Sequence, residues 1–210
     1  MISQPKIPDS LDIIYGMEEF LEFNDTIKEC NIQDDVLKDF SLDEVIISYS
    51  KVKNVNFSNS NLPKAYFNDV IFENCDFSLV NLEKSTFKRV VFINCKFTGT
   101  VLTGTYFDNV SFKNSYMLGI ILNDGNFINA EFIDCNIKEA QISNITFKNI
   151  DFNKCDLTES NFSKTSMNGL DLRSCDISGI VSYLEDIKGV ILTSEQSLTF
   201  IKLLGITIID

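Results

Sequence analysis

From Ile27 to Ile177 a large apolar residue recurs at every fifth position without a gap, thirty-one in succession. In a chain that is 44% hydrophobic, such a run in one phase has a chance probability of roughly 10⁻¹¹, so counting matches settles the period. Fourteen of the 18 Phe lie on this phase, among them Phe72, Phe92, Phe112, Phe132 and Phe152. Two residues before each centre stands a second set that is mostly small or β-branched, such as Val55, Ser60, Ala65, Val70 and Cys75. The remaining positions are mostly Asn, Asp, Ser, Thr, Lys and Glu.

An α-helix wants apolar residues near a 3.6 spacing and a strand wants 2, and a period of five suits neither. It suits a chain that turns a corner every five residues, each side pointing one large and one small residue inward. Four sides make a coil of 20 residues, and coils stack at about 4.8 Å. The expected fold class is therefore all-β, a quadrilateral β-helix with a short C-terminal helix. Asn recurs two residues after the centre (Asn54, Asn74, Asn94, Asn114 and others), where corners need a residue that tolerates unusual turn dihedrals.

The phase divides the chain into a capping segment (1–26), the coils (27–181) and a C-terminal cap (182–210). Ser10 to Phe23 carries Leu11, Ile14, Tyr15 and Leu21 at helix-like spacing, which predicts a short capping helix over an otherwise open coil edge. Asp35 and Phe40 stand where small inward residues belong, and a carboxylate there is costly to bury, so residues 27–46 are expected to be distorted or capped. The phase stops after Ile177, since Ser182 holds the next centre. Thr193 followed three residues on by Gln196 reads as a helix start, and Gly205 as its stop. The tail's apolar residues, Leu198, Phe200, Ile201, Leu204, Ile206 and Ile208, exceed what one cap needs. They predict a homodimer joined at this end.

Net charge is −12 and the pI about 4.4, which points away from direct nucleic-acid binding and toward a basic partner. The chain has no His, so the commonest general base and metal ligand is missing. No glycine-rich phosphate loop is present, and a tube packed with Phe and Leu has no pocket. No enzyme, no metal and no cofactor are expected. Met1 to Pro8 lacks a basic region followed by an apolar core, and no stretch approaches a membrane span. A cytoplasmic location is the expectation, in keeping with six Cys that all fall in the small inward slot. Cys75, Cys95, Cys135, Cys155 and Cys175 share one position modulo 20. They read as a ladder of small hydrophobes, because their spacing is far from that of a zinc site.

Residues 131–176 carry eight acids, Glu131, Asp134, Glu139, Asp151, Asp156, Glu159, Asp171 and Asp176. Modulo 20 they fall on two adjacent sides, in rows whose like charges sit one coil apart. Stacked like charges cost stability, so the rows are candidates for a partner-binding surface. The competing role is structural: an Asp just before the centre can satisfy a turn amide.

The triplets Cys75-Asp76-Phe77, Cys155-Asp156-Leu157, Ser160-Asn161-Phe162 and Cys175-Asp176-Ile177 carry a resemblance to the pentapeptide-repeat family. Glu159-Ser160-Asn161 and the tail Leu204-Gly205-Ile206-Thr207-Ile208-Ile209 resemble its Qnr-type quinolone-resistance group. The family resemblance implies that the β-helix is right-handed, and the resemblance to the Qnr-type group implies an acidic cytoplasmic dimer that mimics duplex DNA, binds DNA gyrase or topoisomerase IV and protects it from quinolones. Several members of the group carry loops inserted between repeats, and here the phase runs unbroken. The alternative is a repeat scaffold for another protein partner.

Overall fold

A computed structural model describes residues 2–201. The chain winds as a parallel β-helix of about seven turns. Its strands are β1 (Asp12–Ile14), β2 (Thr26–Lys28), β3 (Cys30–Gln33), β4 (Ile46–Lys53), β5 (Tyr66–Glu73), β6 (Thr86–Ile93), β7 (Tyr106–Lys113), β8 (Asn126–Ile133) and β9 (Thr146–Asn153). Two helices, α1 (Met17–Phe23) and α2 (Ser194–Ile201), lie at the ends. From β4 to β9 each strand pairs in parallel with the next at an offset of 20 residues, as in Phe72↔Phe92 and Phe92↔Phe112. Single bridges such as Asn56↔Asp76 and Asn61↔Asn81 continue that register on the other two sides. Each side is named below by its centres: the first by Phe67, the second by Phe72, the third by Phe77 and the fourth by Leu82.

The interior follows the period. Phe72, Phe92, Phe112, Phe132 and Phe152 stack with their rings nearly parallel and centroids 5.1, 4.9, 5.0 and 4.8 Å apart. Phe67, Phe87, Phe107 and Phe127 form a second stack. Neighbouring stacks meet edge to face, as Phe72 does with Phe77. Offset and edge-on pairs are the favoured aromatic geometries, so one ring shape repeated at the coil rise fills the tube.

The small slot is chemical as well as steric. Thr100, Ser160 and Thr165 donate their hydroxyls to the carbonyls of Phe77, Ile137 and Ile142 in the preceding coil, at 2.7, 2.6 and 2.7 Å. Cys75, Cys95, Cys135, Cys155 and Cys175 point their thiols at the equivalent carbonyls of Val52, Phe72, Phe112, Phe132 and Phe152. All six cysteines are free and buried. Burial pushes the Cys95 thiol well up, which keeps it a neutral packing element.

Corners fall every five residues in the left-handed region, with φ between 50° and 64° at positions such as Tyr49, Asn54, Asn59, Lys64, Asp69 and Leu79. That conformation costs an L-residue about 1–2 kcal/mol, and Asn bears it best. Along the second-side corner the side chains also bond up the tube: Asn54 donates to Asp34, Asn74 to Asn54 and Asn94 to Asn74.

The ends depart from the expected helix over Ser10–Phe23 and from the expected end of the phase at Ile177. The N-terminal helix is shorter than Ser10–Phe23. Gly16, at φ 72°, separates a strand from a helix, and Asp12–Ile14 instead extends the sheet by pairing with Cys30–Ile32. Residues 27–46 keep the coil register. Asp35 is tolerated in the small slot because its carboxylate accepts the Met17 backbone N–H at 2.8 Å and the Val36 N–H at 2.7 Å. The misfit residue is thus the acceptor for the first amide of α1, whose Met17 and Leu21 plug the coil opening. At the other end the ladder continues past Ile177. Met167 and Leu172 donate to the carbonyls of Asp186 and Ile191, and Ser182 is buried in the centre slot. The capping box forms at Thr193: Gln196 N–H donates to Thr193 Oγ1 at 3.2 Å, and Thr193 N–H to Gln196 Oε1 at 2.9 Å. Gln196 Nε2 also donates to the carbonyls of Leu172 and Cys175, tying α2 over the last coil.

Candidate partner-binding surface

The eight acids separate into two kinds once their partners are visible. Asp156, Asp171 and Asp176 each accept the backbone N–H two residues on, from Thr158, Arg173 and Ser178 at 3.1, 3.2 and 2.9 Å. Asp76 does the same for Ser78, and Asn161 for Ser163, so this is the tube's own turn chemistry. Asp156 also pairs with Lys138 at 3.0 Å and Asp171 with Arg173 at 2.6 Å. Side-chain hydrogen bonds from Arg173 hold the Asp171 carboxyl at about 2. Burial pushes Asp156 up, but hydrogen bonds from Thr158 and Lys138 outweigh it and leave the carboxyl below its ordinary range. Glu131 accepts the Ser111 hydroxyl at 2.7 Å and lies 3.8 Å from Lys113.

Asp134, Glu139 and Glu159 are different. They are exposed and occupy corners, at φ 51°, 57° and 59°. Asp151 is exposed on the second side, stacked on Glu131. Among the described residues none of these four has an ion pair. Glu139 and Glu159 stand one coil apart on the third-side corner, joined through the ladder bond from Glu139 N–H to the Thr158 carbonyl. Elsewhere a corner amide bonds its neighbour up the tube, as Asn149 does Asn129. Two carboxylates can only accept, so this pair forgoes that bond and adds repulsion.

On the second and third sides, residues 131–176 hold the eight acids against three bases, Lys138, Lys154 and Arg173. Five net negative charges remain over a little more than two coils. At about 4.8 Å per coil that is one charge per ~2.2 Å, close to the ~1.7 Å of duplex DNA. Lys148 and Lys164 belong to the other two sides.

The C-terminal end exposes Val181, Tyr183, Leu184, Ile191 and Leu198. Of the residues expected at a dimer contact, Leu198 is exposed, Ile201 half-buried and Phe200 buried within its own chain. Leu204, Ile206 and Ile208, with Gly205, lie outside the described residues.

Sequence reasoning missed a second polar cluster. Residues 2–8 run back along the corner between the first and second sides, where Ser3 N–H donates to Asn109 Oδ1 and Lys6 N–H to Asp69 Oδ1, at 2.9 and 2.8 Å. Beneath this arm Asp69 is fully buried and takes Arg89 Nε at 2.6 Å. Burial pushes its carboxyl up, but Arg89 and the Lys6 amide outweigh that and hold it below the usual range. The signal was present: Asp69 and Arg89 are opposite charges 20 residues apart in one corner slot.

A tube of five-residue sides with a small slot, a large slot and a left-handed corner defines a class of solenoid. The chain belongs to the pentapeptide repeat family: the family's pentapeptide repeat region matches residues 46–104, 65–142 and 85–162, overlapping stretches that together cover more than half of the chain. No curated protein sequence matches it. Among solved structures it is similar to QnrB1, a plasmid-mediated fluoroquinolone resistance protein, at 16% identity over 84% of this chain and 100% of that one, with a TM-score of 0.41. It is also similar to HetL from the cyanobacterium Nostoc sp. strain PCC 7120, at 13% identity over 86% and 98%, with a TM-score of 0.33. Rfr23 from the cyanobacterium Cyanothece 51142 is 14% identical over 83% and 96%, with a TM-score of 0.32. At such identities the likeness is one of fold alone. No helix among the described residues is long and apolar enough to cross a membrane.

Proposed function

We propose that this chain is a DNA-mimicking binding protein that occupies the DNA-binding saddle of a bacterial type II topoisomerase, DNA gyrase or topoisomerase IV, and protects it from fluoroquinolones. It acts in the cytoplasm, by binding rather than by chemistry. The observation that carries this reading is the Glu139–Glu159 corner with Asp134 and Asp151 beside it. Among the described residues none of these carboxylates is held in an ion pair or by a turn amide. Lys154 follows Asp134 one coil on in the same corner slot, so the pair without a neighbouring base in its own slot is Glu139 and Glu159, at coil spacing. Repulsion retained on a surface, where Asn would supply a stabilising ladder, is what an anionic ligand for a basic groove requires.

A homodimer joined at the C-terminal end would bring the acidic rows of both copies toward the middle of a longer rod. The apolar side chains exposed at that end support such a contact. The reading is tested by charge reversal. Asp134→Lys, Glu139→Lys and Glu159→Lys together should weaken gyrase binding by at least about tenfold, measured by surface plasmon resonance at fixed salt. A variant that melts like wild type and binds with unchanged affinity refutes the assignment. In that case a scaffold for another partner becomes the better reading, with Leu79, exposed on the third-side corner, as its first candidate contact.

A further inference from the structure

β1 is the last strand of the sheet at the N-terminal end, with β3 on one side and no described strand on the other. Asp12 turns its N–H toward β3, donating to the Glu29 carbonyl at 2.9 Å. Along a strand successive residues alternate direction, so Ile13 directs its N–H and C=O to the open edge. An unpaired edge of this kind is a template for another strand. The side chains around it are apolar and uncovered: Ile13 is 62% and Tyr15 82% exposed. Ile13 and Tyr15 form one wall of a groove of roughly 430 Å³, whose other lining residues are Asn31, Gln33 and Asp34.

Charge selects the occupant. Residues 9–35 contain nine acids against the single base Lys28, which is paired with Glu29 at 3.1 Å. One coil on, beside Asn31 and Gln33, stand Lys51 and Lys53, of which Lys53 is paired with Glu73 at 2.8 Å. Two such ends would each bring eight net negative charges to the same contact, which disfavours a second copy of this chain. A basic strand meets no such barrier. Adding it to β1 satisfies the Ile13 amide and carbonyl, packs its apolar side chains against Ile13 and Tyr15 where they rim the groove, and places its Lys or Arg against the acids of α1 and the first coil.

We propose that the β1 edge and its groove form a docking surface for an extended basic segment of another protein, bound as an added strand. The site lies at the opposite end of the tube from the acidic rows, so it stands or falls independently of the topoisomerase reading. The test uses the full chain, ¹⁵N-labelled, titrated with the peptide acetyl-Lys-Val-Lys-Phe-Lys-Val-Lys-amide and with its counterpart carrying Glu for every Lys. Saturable amide shifts at residues 12–15 and 31–34 are expected with the basic peptide and not with the acidic one. Ile13→Pro, which deletes the edge N–H, should weaken binding about tenfold. If that variant loses α1, Tyr15→Ser carries the test, since it removes a groove wall and leaves the strand. Shifts confined to the acidic rows, equal binding of both peptides, or unchanged affinity in Tyr15→Ser overturns the proposal. So does concentration-dependent broadening at residues 12–15 without peptide, because a second copy would then be the occupant.

Discussion

Asp69 and Arg89 occupy the same corner slot one coil apart, and among the described residues they form the most deeply buried ion pair, with the Asp69 side chain wholly covered. Fork geometry, with Nε and Nη2 of Arg89 both reaching the carboxylate, combines with the Lys6 amide to satisfy it. The pair ties together two coils and the N-terminal arm, three parts of the chain up to 83 residues apart in sequence.

Removing one partner of a buried pair strands the other. Arg89→Ala should therefore destabilise the protein by about 3 kcal/mol, read from urea denaturation. The pH dependence has a definite sign. The folded pKa of Asp69 is depressed, so its contribution is complete above the unfolded value of about 3.9 and is lost as pH falls through the lower folded value. Asp69→Asn should be less stable than wild type at pH 7 and should lose less on acidification from pH 5 to 2. Parallel stability curves for the two proteins would show that the pair is not coupled to folding.

At mid-tube, Phe112 stacks on Phe92 and Phe132 and is covered on every side. Phe112→Ala should cost about 3–5 kcal/mol, and Phe112→Asp, which buries a charge among rings, should prevent folding. Circular dichroism and thermal melting decide this. A melt of Phe112→Asp like that of wild type contradicts the interior described here.

Sedimentation velocity tests the C-terminal contact. The intact protein is expected to sediment as a dimer at micromolar concentration, and Leu198→Asp to shift it toward monomer while Phe200 keeps α2 packed. A clean monomer for wild type removes the dimer from the account.

The tube itself was readable in advance, because a five-residue phase modulo 20 fixes which side chains stack, as with Phe72 and Phe92 or Cys75 and Cys95. What escaped prediction were contacts made across the coil register. Asp35 in a small slot reads as a pure cost until the Met17 amide, eighteen residues upstream, arrives as its donor. Asp12-Ile13-Ile14 is too short to separate strand from helix by period, and only the edge of β3 decides it. The acidic rows were visible as positions, but not their division into turn-bonded and free carboxylates. Asp151 shows this: its slot suggested a turn role, and no turn amide reaches it.

The central claim is most directly tested by a gyrase supercoiling assay in which the protein is titrated with and without ciprofloxacin. The account predicts that wild type restores supercoiling under the drug, or inhibits it without the drug, and that the Asp134→Lys/Glu139→Lys/Glu159→Lys variant does neither. No effect of the folded wild-type protein on gyrase or topoisomerase IV at micromolar concentration would contradict it.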